Sequence, residues 1–197
     1  MDERRGLMAG TLYRYRQLLT VFLFLAILFA AFEFSGLREH FSLHFLRYRI
    51  SENKLGGLLI FVLLFCLGNL IQIPGWLFLV AAVLALGKLW GGVATYVAAS
   101  ISCAFTFLVI RRIGGDALRK LDSRIAARLL RQLDARPVRS IVALRMVFQT
   151  VPALNYSLAL SGVGFRDYLT GTLLGLPLPI FLYCLFFDYL AMLLNIH

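Results

Sequence analysis

The stretch Gln72-Ile73-Pro74-Gly75-Trp76-Leu77-Phe78-Leu79-Val80-Ala81-Ala82-Val83-Leu84-Ala85-Leu86-Gly87-Lys88 decides how this chain folds. An uncharged apolar run extends from Trp76 to Leu86, with Pro-Gly before it and Gly-Lys after it. Eleven helical residues rise only about 16 Å, roughly half of a ~30 Å hydrocarbon core, so this block cannot cross a bilayer alone. Proline at a block boundary stops or kinks the helix before it. The economical reading is a re-entrant helical hairpin. Residues 55–73 enter, the chain reverses at Pro74 and Gly75, and the short block leaves on the side it came from.

Outward from this stretch the rest of the chain is also apolar. It has 197 residues, 60% hydrophobic and 15% charged, with a mean hydropathy of +0.82. Soluble domains carry about a quarter charged residues. Residues 18–34, 90–110 and 168–196 form further blocks of membrane-spanning length. The fold class is therefore all-α, a polytopic membrane protein. Residues 1–54 form an N-terminal membrane helix and an amphipathic segment, and residues 55–197 form the main membrane domain. The basic N-terminal arm before residue 18 resembles a signal peptide, but its apolar run is longer than a usual signal core and no clean cleavage site follows, so it is expected to stay as a helix. Residues 36–54 alternate charged and apolar positions at helical spacing, which predicts an interfacial amphipathic helix. Its His40 and His44 stand i,i+4 but lack a third ligand nearby, so no metal site is read from them.

The net charge is +10, from 20 Lys+Arg against 10 Asp+Glu. Nine of the basic residues and three acids lie in residues 111–139, which is what a cytoplasmic loop facing anionic lipid looks like. A leucine stripe within it predicts a surface helix. No aromatic-basic platform or nucleic-acid motif occurs, so nucleic acid is not an expected partner. Cys66, Cys103 and Cys184 sit inside apolar blocks without C-x-x-C spacing and read as packing residues. There is no H-E-x-x-H motif, nucleophile elbow or paired catalytic carboxylates, so neither an enzyme nor a cofactor is expected.

Residues 140–164 are too polar for a lipid-facing span and are broken at Pro152. They read as a second hairpin, followed by a last span in residues 165–197 that is interrupted around Leu176 to Pro179. The two broken regions correspond. Gln72, Pro74, Gly87 and Trp90 precede a span opening with Gly91, while Gln149, Pro152, Gly164 and Tyr168 precede one that opens with Gly171. Paired short segments interrupted by Pro or Gly are a sequence pointer to a transporter site. With residues 111–139 inside, the first hairpin dips from outside and the second from inside.

These residues resemble the DedA / VTT-domain (SNARE-associated) superfamily over about residues 55–190. Pro74, Gly75, Gly87 and Gly91 are similar to that family's "PG…FG…G" re-entrant motif. Phe107, Arg111 and Gly114 are similar to its "F…R…G". Arg145, Pro152, Asn155, Tyr156 and Gly162 resemble the second loop's "R…P…N…G", and Gly175 and Pro177 the "G..P" of the last span. The resemblance implies movement of phospholipid or polyprenyl phosphate by a scramblase or flippase, with proton coupling in some members. Trp76 stands where the DedA branch often has a glutamate, and no acid lies between Glu52 and Asp116, so the chain looks closer to the VTT branch.

Arg145 is the leading head-group candidate, because an intramembrane arginine is costly and its fork matches phosphate. Gln72, Gln149 and Asn155 would add amides to the path, and Pro74, Gly75 and Pro152 would open half-helix N-termini toward it. Asp188 and Glu33 are the acids inside apolar blocks and the candidates for proton coupling. The expected partners are membrane lipids in the cell membrane, and nothing in the sequence excludes a homo-oligomer. A proton-coupled solute transporter and a non-transporting scaffold are the alternatives.

Overall fold

The computed structural model describes residues 16–28, 30–31, 54–120, 124–148, 151 and 153–193. The amphipathic segment with His40 and His44, as well as Glu33, Gln149 and Pro152, lie outside the described residues. The described elements are α1 (Arg16–Leu28), α2 (Lys54–Leu70), α3 (Gly75–Gly114) and a 3-10 turn at Ala117–Lys120. They continue with α4 (Arg124–Ala135), α5 (Pro137–Phe148), α6 (Ala153–Leu160), α7 (Phe165–Gly175) and α8 (Pro177–Leu193). No strand occurs among them.

The chain reverses after α2 through a Schellman-type end. Ile73 N–H reaches the Gly68 carbonyl at 2.8 Å and Gln72 N–H the Asn69 carbonyl at 3.4 Å. Gln72 takes the left-handed position usually left to glycine, with φ 68°. Pro74 then starts α3 from an extended conformation. The reversal lays α3 back on α2, with the Phe65 and Phe78 rings stacked at 4.7 Å. Gly68 makes room, since a methyl group there would overlap the Phe78 ring.

α3 is two helices joined at Gly87, whose φ 78° and ψ 169° lie in a region open essentially to glycine alone. At this break the chain turns so sharply that Gly91 lies against the backbone of Ala82 and Val83. A Cβ on Gly91 would stand 2.6 Å from the Ala82 carbonyl oxygen. The piece after the break, residues 88–114, still rises about 40 Å, enough to cross a bilayer. The segment Phe165–Phe187 is also long and apolar enough to do so.

The second half is not a copy of the first. α5 packs on α7, where Gly171 sits 2.7 Å (as a built Cβ) from Ile141 Cβ and Gly175 equally close to Arg145 Cβ. α6 instead packs on α3. The two splay apart, leaving an apolar groove of about 660 Å³ lined by α4, α5 and α6 residues such as Leu133, Leu144, Val147 and Leu158. The positive-φ glycine equivalent to Gly87 is Gly162, at φ 85°. Gly164, the partner expected from spacing, has φ −66° and caps α7 instead.

Pro177 bends the last helix without ending it, since Leu176 keeps helical φ −78° and ψ −35°. Proline lacks the N–H that would reach four residues back. The Leu173 carbonyl left over is met by the Tyr96 hydroxyl at 3.2 Å.

The basic segment has a structural task. Arg111 donates to the Ala159 carbonyl at 2.8 Å and the Val163 carbonyl at 3.3 Å, while Arg119 donates to the Ser161 carbonyl at 2.7 Å. Together they cap the end of α6, whose last carbonyls have no helical donor. Arg119 also forks onto Asp134 of α4. That guanidinium holds the Asp134 carboxyl below its ordinary range.

The outward face of α3 is apolar. Val93, Val97, Ile101, Phe105 and Leu108 are each 42–47% exposed. The polar residues of the same helix point inward, Ser102 and Thr106 at 0% exposure and Thr95 at 2%. That is the reverse of a water-soluble helix and fits one surrounded by lipid.

Three outcomes follow for detergent-purified protein. Gly87→Ala and Gly91→Ala each destabilise by about 1–3 kcal/mol, through backbone strain and overpacking respectively. Gly75→Ala, whose added Cβ meets only the Phe65 ring at 3.5 Å, leaves the melting temperature near wild type. Asp134→Asn costs less than about 1 kcal/mol, because the pair is solvent-exposed. Since the folded carboxyl has the lower pKa, that loss is complete at neutral pH and disappears as pH falls below about 4; melts across pH check it.

Candidate functional site

The break between α2 and α3 and the break between α5 and α6 meet in the middle of the molecule. Asn155 donates from Nδ2 to Asn69 Oδ1 at 2.9 Å, linking the start of α6 to the end of α2. Asn69 Nδ2 donates onward to Ser102 Oγ at 2.9 Å and Thr106 Oγ1 at 3.3 Å. Ser102 in turn donates to the Phe65 carbonyl at 3.2 Å. The Tyr156 hydroxyl, one residue past Asn155, lies 2.9 Å from the Asn69 carbonyl and 2.7 Å from the Leu70 carbonyl. These carbonyls belong to the last turn of α2, where Asn69 keeps only the 3.4 Å bond from Gln72 N–H, and one hydroxyl proton shared between them closes the helix end.

The chain of bonds continues to Arg145, which is 2% exposed. Arg145 Nη2 donates to the Tyr168 hydroxyl at 2.9 Å and to Thr172 Oγ1 at 3.2 Å. Its guanidinium lies 5.5 Å from the Tyr168 ring centroid. The Tyr168 oxygen stands 3.1 Å from the Cys103 carbonyl and 3.2 Å from Asn155 Oδ1. It has one proton, so it donates to one of them at a time. Tyr168 is held by stacking on Phe107 at 4.2 Å.

No carboxylate among the described residues pairs with Arg145. Its Nε has no hydrogen-bond partner, and neither has Thr95 Oγ1. Both residues line one cavity of about 40 Å³, with Asn69, Asn155, Gly75 and Tyr183. At 10–15 Å³ per water that is room for about three.

Of the residues singled out in the sequence, Arg145, Asn155 and Gly75 come together at this cavity. Pro74 starts α3 beside it. Gln72 is exposed and does not line the cavity; its left-handed φ serves the chain reversal. The Asp188 side chain lies outside the described residues, as do Gln149, Pro152 and Glu33. Asn69, Thr95, Ser102, Thr106, Tyr156, Tyr168 and Thr172 complete the site. Asn69 carried a legible signal, an amide within an apolar block. Thr95, Ser102 and Thr106 repeat at helical spacing and pass in sequence for the small residues of a close helix contact.

An all-helical molecule with apolar faces outward and a chain of buried hydrogen bonds between two broken-helix regions is a membrane protein. The comparison with known families makes this specific. The VTT domain matches residues 73–189, more than half of the chain, which therefore belongs to the DedA/VTT superfamily. That family is membrane-associated and its members are often proposed as transporters or flippases. No curated protein and no solved structure matches the chain.

The contact between the breaks is open to measurement. Tyr156→Phe removes the only side-chain donor to the Asn69 and Leu70 carbonyls among the described residues and destabilises by about 1–3 kcal/mol. Asn69→Ala and Asn155→Ala, combined in a double-mutant cycle, show a coupling energy of about 0.6–2 kcal/mol; additive losses contradict the bond.

Proposed function

We propose that this protein moves phosphate-bearing lipids across the bilayer, as a scramblase or flippase for phospholipid or polyprenyl phosphate. The observation that carries the reading is the contact of Asn69 with Asn155 beside the two helix breaks, next to an arginine that pairs with no carboxylate among the described residues. In this reading both breaks are re-entrant and enter from opposite faces of the cell membrane, with residues 111–139 cytoplasmic. Backbone that is neither helix nor strand is tolerated at membrane depth only where protein or a water-filled cavity satisfies it. Broken helices that face each other in the core are an arrangement transporters use to place a site near the midplane.

A lipid in transit needs its head group solvated by protein while its tails remain in hydrocarbon. Arg145 supplies the charge, and Asn155 and Asn69 supply amides. The 40 Å³ cavity is too small for a whole head group, so in this reading the arrangement is that of a closed state. Opening separates the breaks at Asn69–Asn155 and at Tyr156. Intramembrane hydrogen bonds of this kind are worth about 0.6 kcal/mol each, so a few of them form a latch that thermal motion releases.

Reconstituted into vesicles with a fluorescent lipid in both leaflets, the protein should let external dithionite quench the inner-leaflet label faster than in empty vesicles. Arg145→Ala should slow that phase at least roughly tenfold, the loss of about one charge-assisted contact. Decay equal to that of protein-free vesicles for every phosphate lipid tried removes the reading. Flux that appears only with a pH gradient, and is abolished by Asp188→Asn, points to the proton-coupled alternative.

A further inference from the structure

We infer that the cavity between Thr95 and Arg145 is a binding site for one oxyanion group of the phosphate type. The inference deepens the transport reading and rests on it only for the route by which a lipid phosphate would arrive. Two buried side-chain polar atoms among the described residues lack a hydrogen-bond partner, and they are Arg145 Nε and Thr95 Oγ1. One lies on α5 and the other on α3, 50 positions apart in the numbering, yet both line the same cavity. Two residues that each carry an unpartnered polar atom thus border one space.

The chemistry of these groups selects the ligand. Arginine does not deprotonate in proteins, so the Arg145 charge persists in the core. A buried charge without a partner is costly, and Tyr168 and Thr172 offer it only neutral oxygens. No carboxylate among the described residues lines the cavity, so the groups on view favour an anion over a metal cation. The free groups are an N–H of the guanidinium fork and a hydroxyl that can turn its proton inward, both of which donate to an anion. Asn155 and Asn69 are already engaged with each other and hold the wall. The volume of about 40 Å³ admits a single compact group and excludes the glycerol and tails attached to it. The occupant is therefore either free inorganic phosphate or a lipid phosphate that projects its oxygens into the cavity.

Thr95 is the residue to change, because its hydroxyl makes no bond within the protein. Thr95→Val keeps the shape and removes only the donor, so the variant folds and melts at or above the wild-type temperature without anion. The full chain is purified in phosphate-free glycolipid nanodiscs and melted against inorganic phosphate at constant ionic strength. Wild type gains a saturable rise in melting temperature, and Thr95→Val and Arg145→Lys weaken the apparent affinity roughly tenfold or more. A parallel preparation in phospholipid is stripped by detergent and assayed for bound phosphorus. A site filled by lipid retains about one phosphorus per chain in wild type and loses it in Thr95→Val, and free phosphate then acts only on the glycolipid preparation. No phosphate response in either preparation, with wild type equal to Thr95→Val, overturns the site and leaves a cavity that holds water alone. Lipid flux measured on the same samples separates the two ideas: binding without flux keeps the site and removes transport, and flux without binding does the reverse.

Discussion

A helix broken in the interior of a membrane protein leaves carbonyls and N–H groups that no bulk water can reach, and here side chains of α6 satisfy the broken end of α2. The hydroxyl of Tyr156, from the start of α6, closes the last turn of α2, and Asn155 joins Asn69 beside it. The rest of the arrangement depends on this contact. Arg111 and Arg119 hold the other end of α6 by the carbonyls of Ala159, Ser161 and Val163. α3 supplies Ser102 and Thr106 from its inward face to complete the amide of Asn69. Elements from both halves of the chain thus share one set of donors and acceptors, and neither half would have its polar groups satisfied alone.

Polarity in this molecule runs from apolar outside to polar inside. Valine, isoleucine and phenylalanine cover the outer side of α3, whereas hydroxyls and amides fill its inner side. In lipid the apolar faces cost nothing to expose, and association rests on close packing and internal hydrogen bonds. Gly91, Gly171 and Gly175 allow backbones to touch where any side chain would hold them apart. The same tight packing isolates Arg145, so that its charge is answered by a phenol, a hydroxyl and an aromatic face.

The breaks themselves were legible in the sequence, and the partners across them were not. Pro74 and Gly87 mark both ends of the short limb because proline removes a donor and glycine alone enters the φ/ψ region that Gly87 occupies. In the second half, Ser161-Gly162-Val163-Gly164 offers two glycines, six and four residues before Tyr168, and spacing favoured Gly164. The turn is made at Gly162, where the Arg119 guanidinium fills the space a side chain would need. Arg145 and Asn155 stood out as polar residues at membrane depth. Asn69 offered the same signal, an amide in an apolar block, whereas Tyr156 offered none, since a tyrosine beside an asparagine has many ordinary uses. The expected symmetry between the halves also gave way, because α5 follows α7 and α6 follows α3, leaving a groove between them.

Hydropathy and the local stereochemistry of proline and glycine are properties of a few consecutive residues. For that reason the sequence alone determined that the chain is helical, that it belongs in a membrane, and where its helices stop. The bond from Asn155 to Asn69 spans 86 positions, and the cavity between Thr95 and Arg145 is closed by residues of α2, α3, α5, α6 and the α7–α8 segment. Such contacts have no local signature. They exist because packing brings distant orphaned groups within about 3 Å of each other, and only the tertiary structure decided which of them would be paired and which two would be left without a partner.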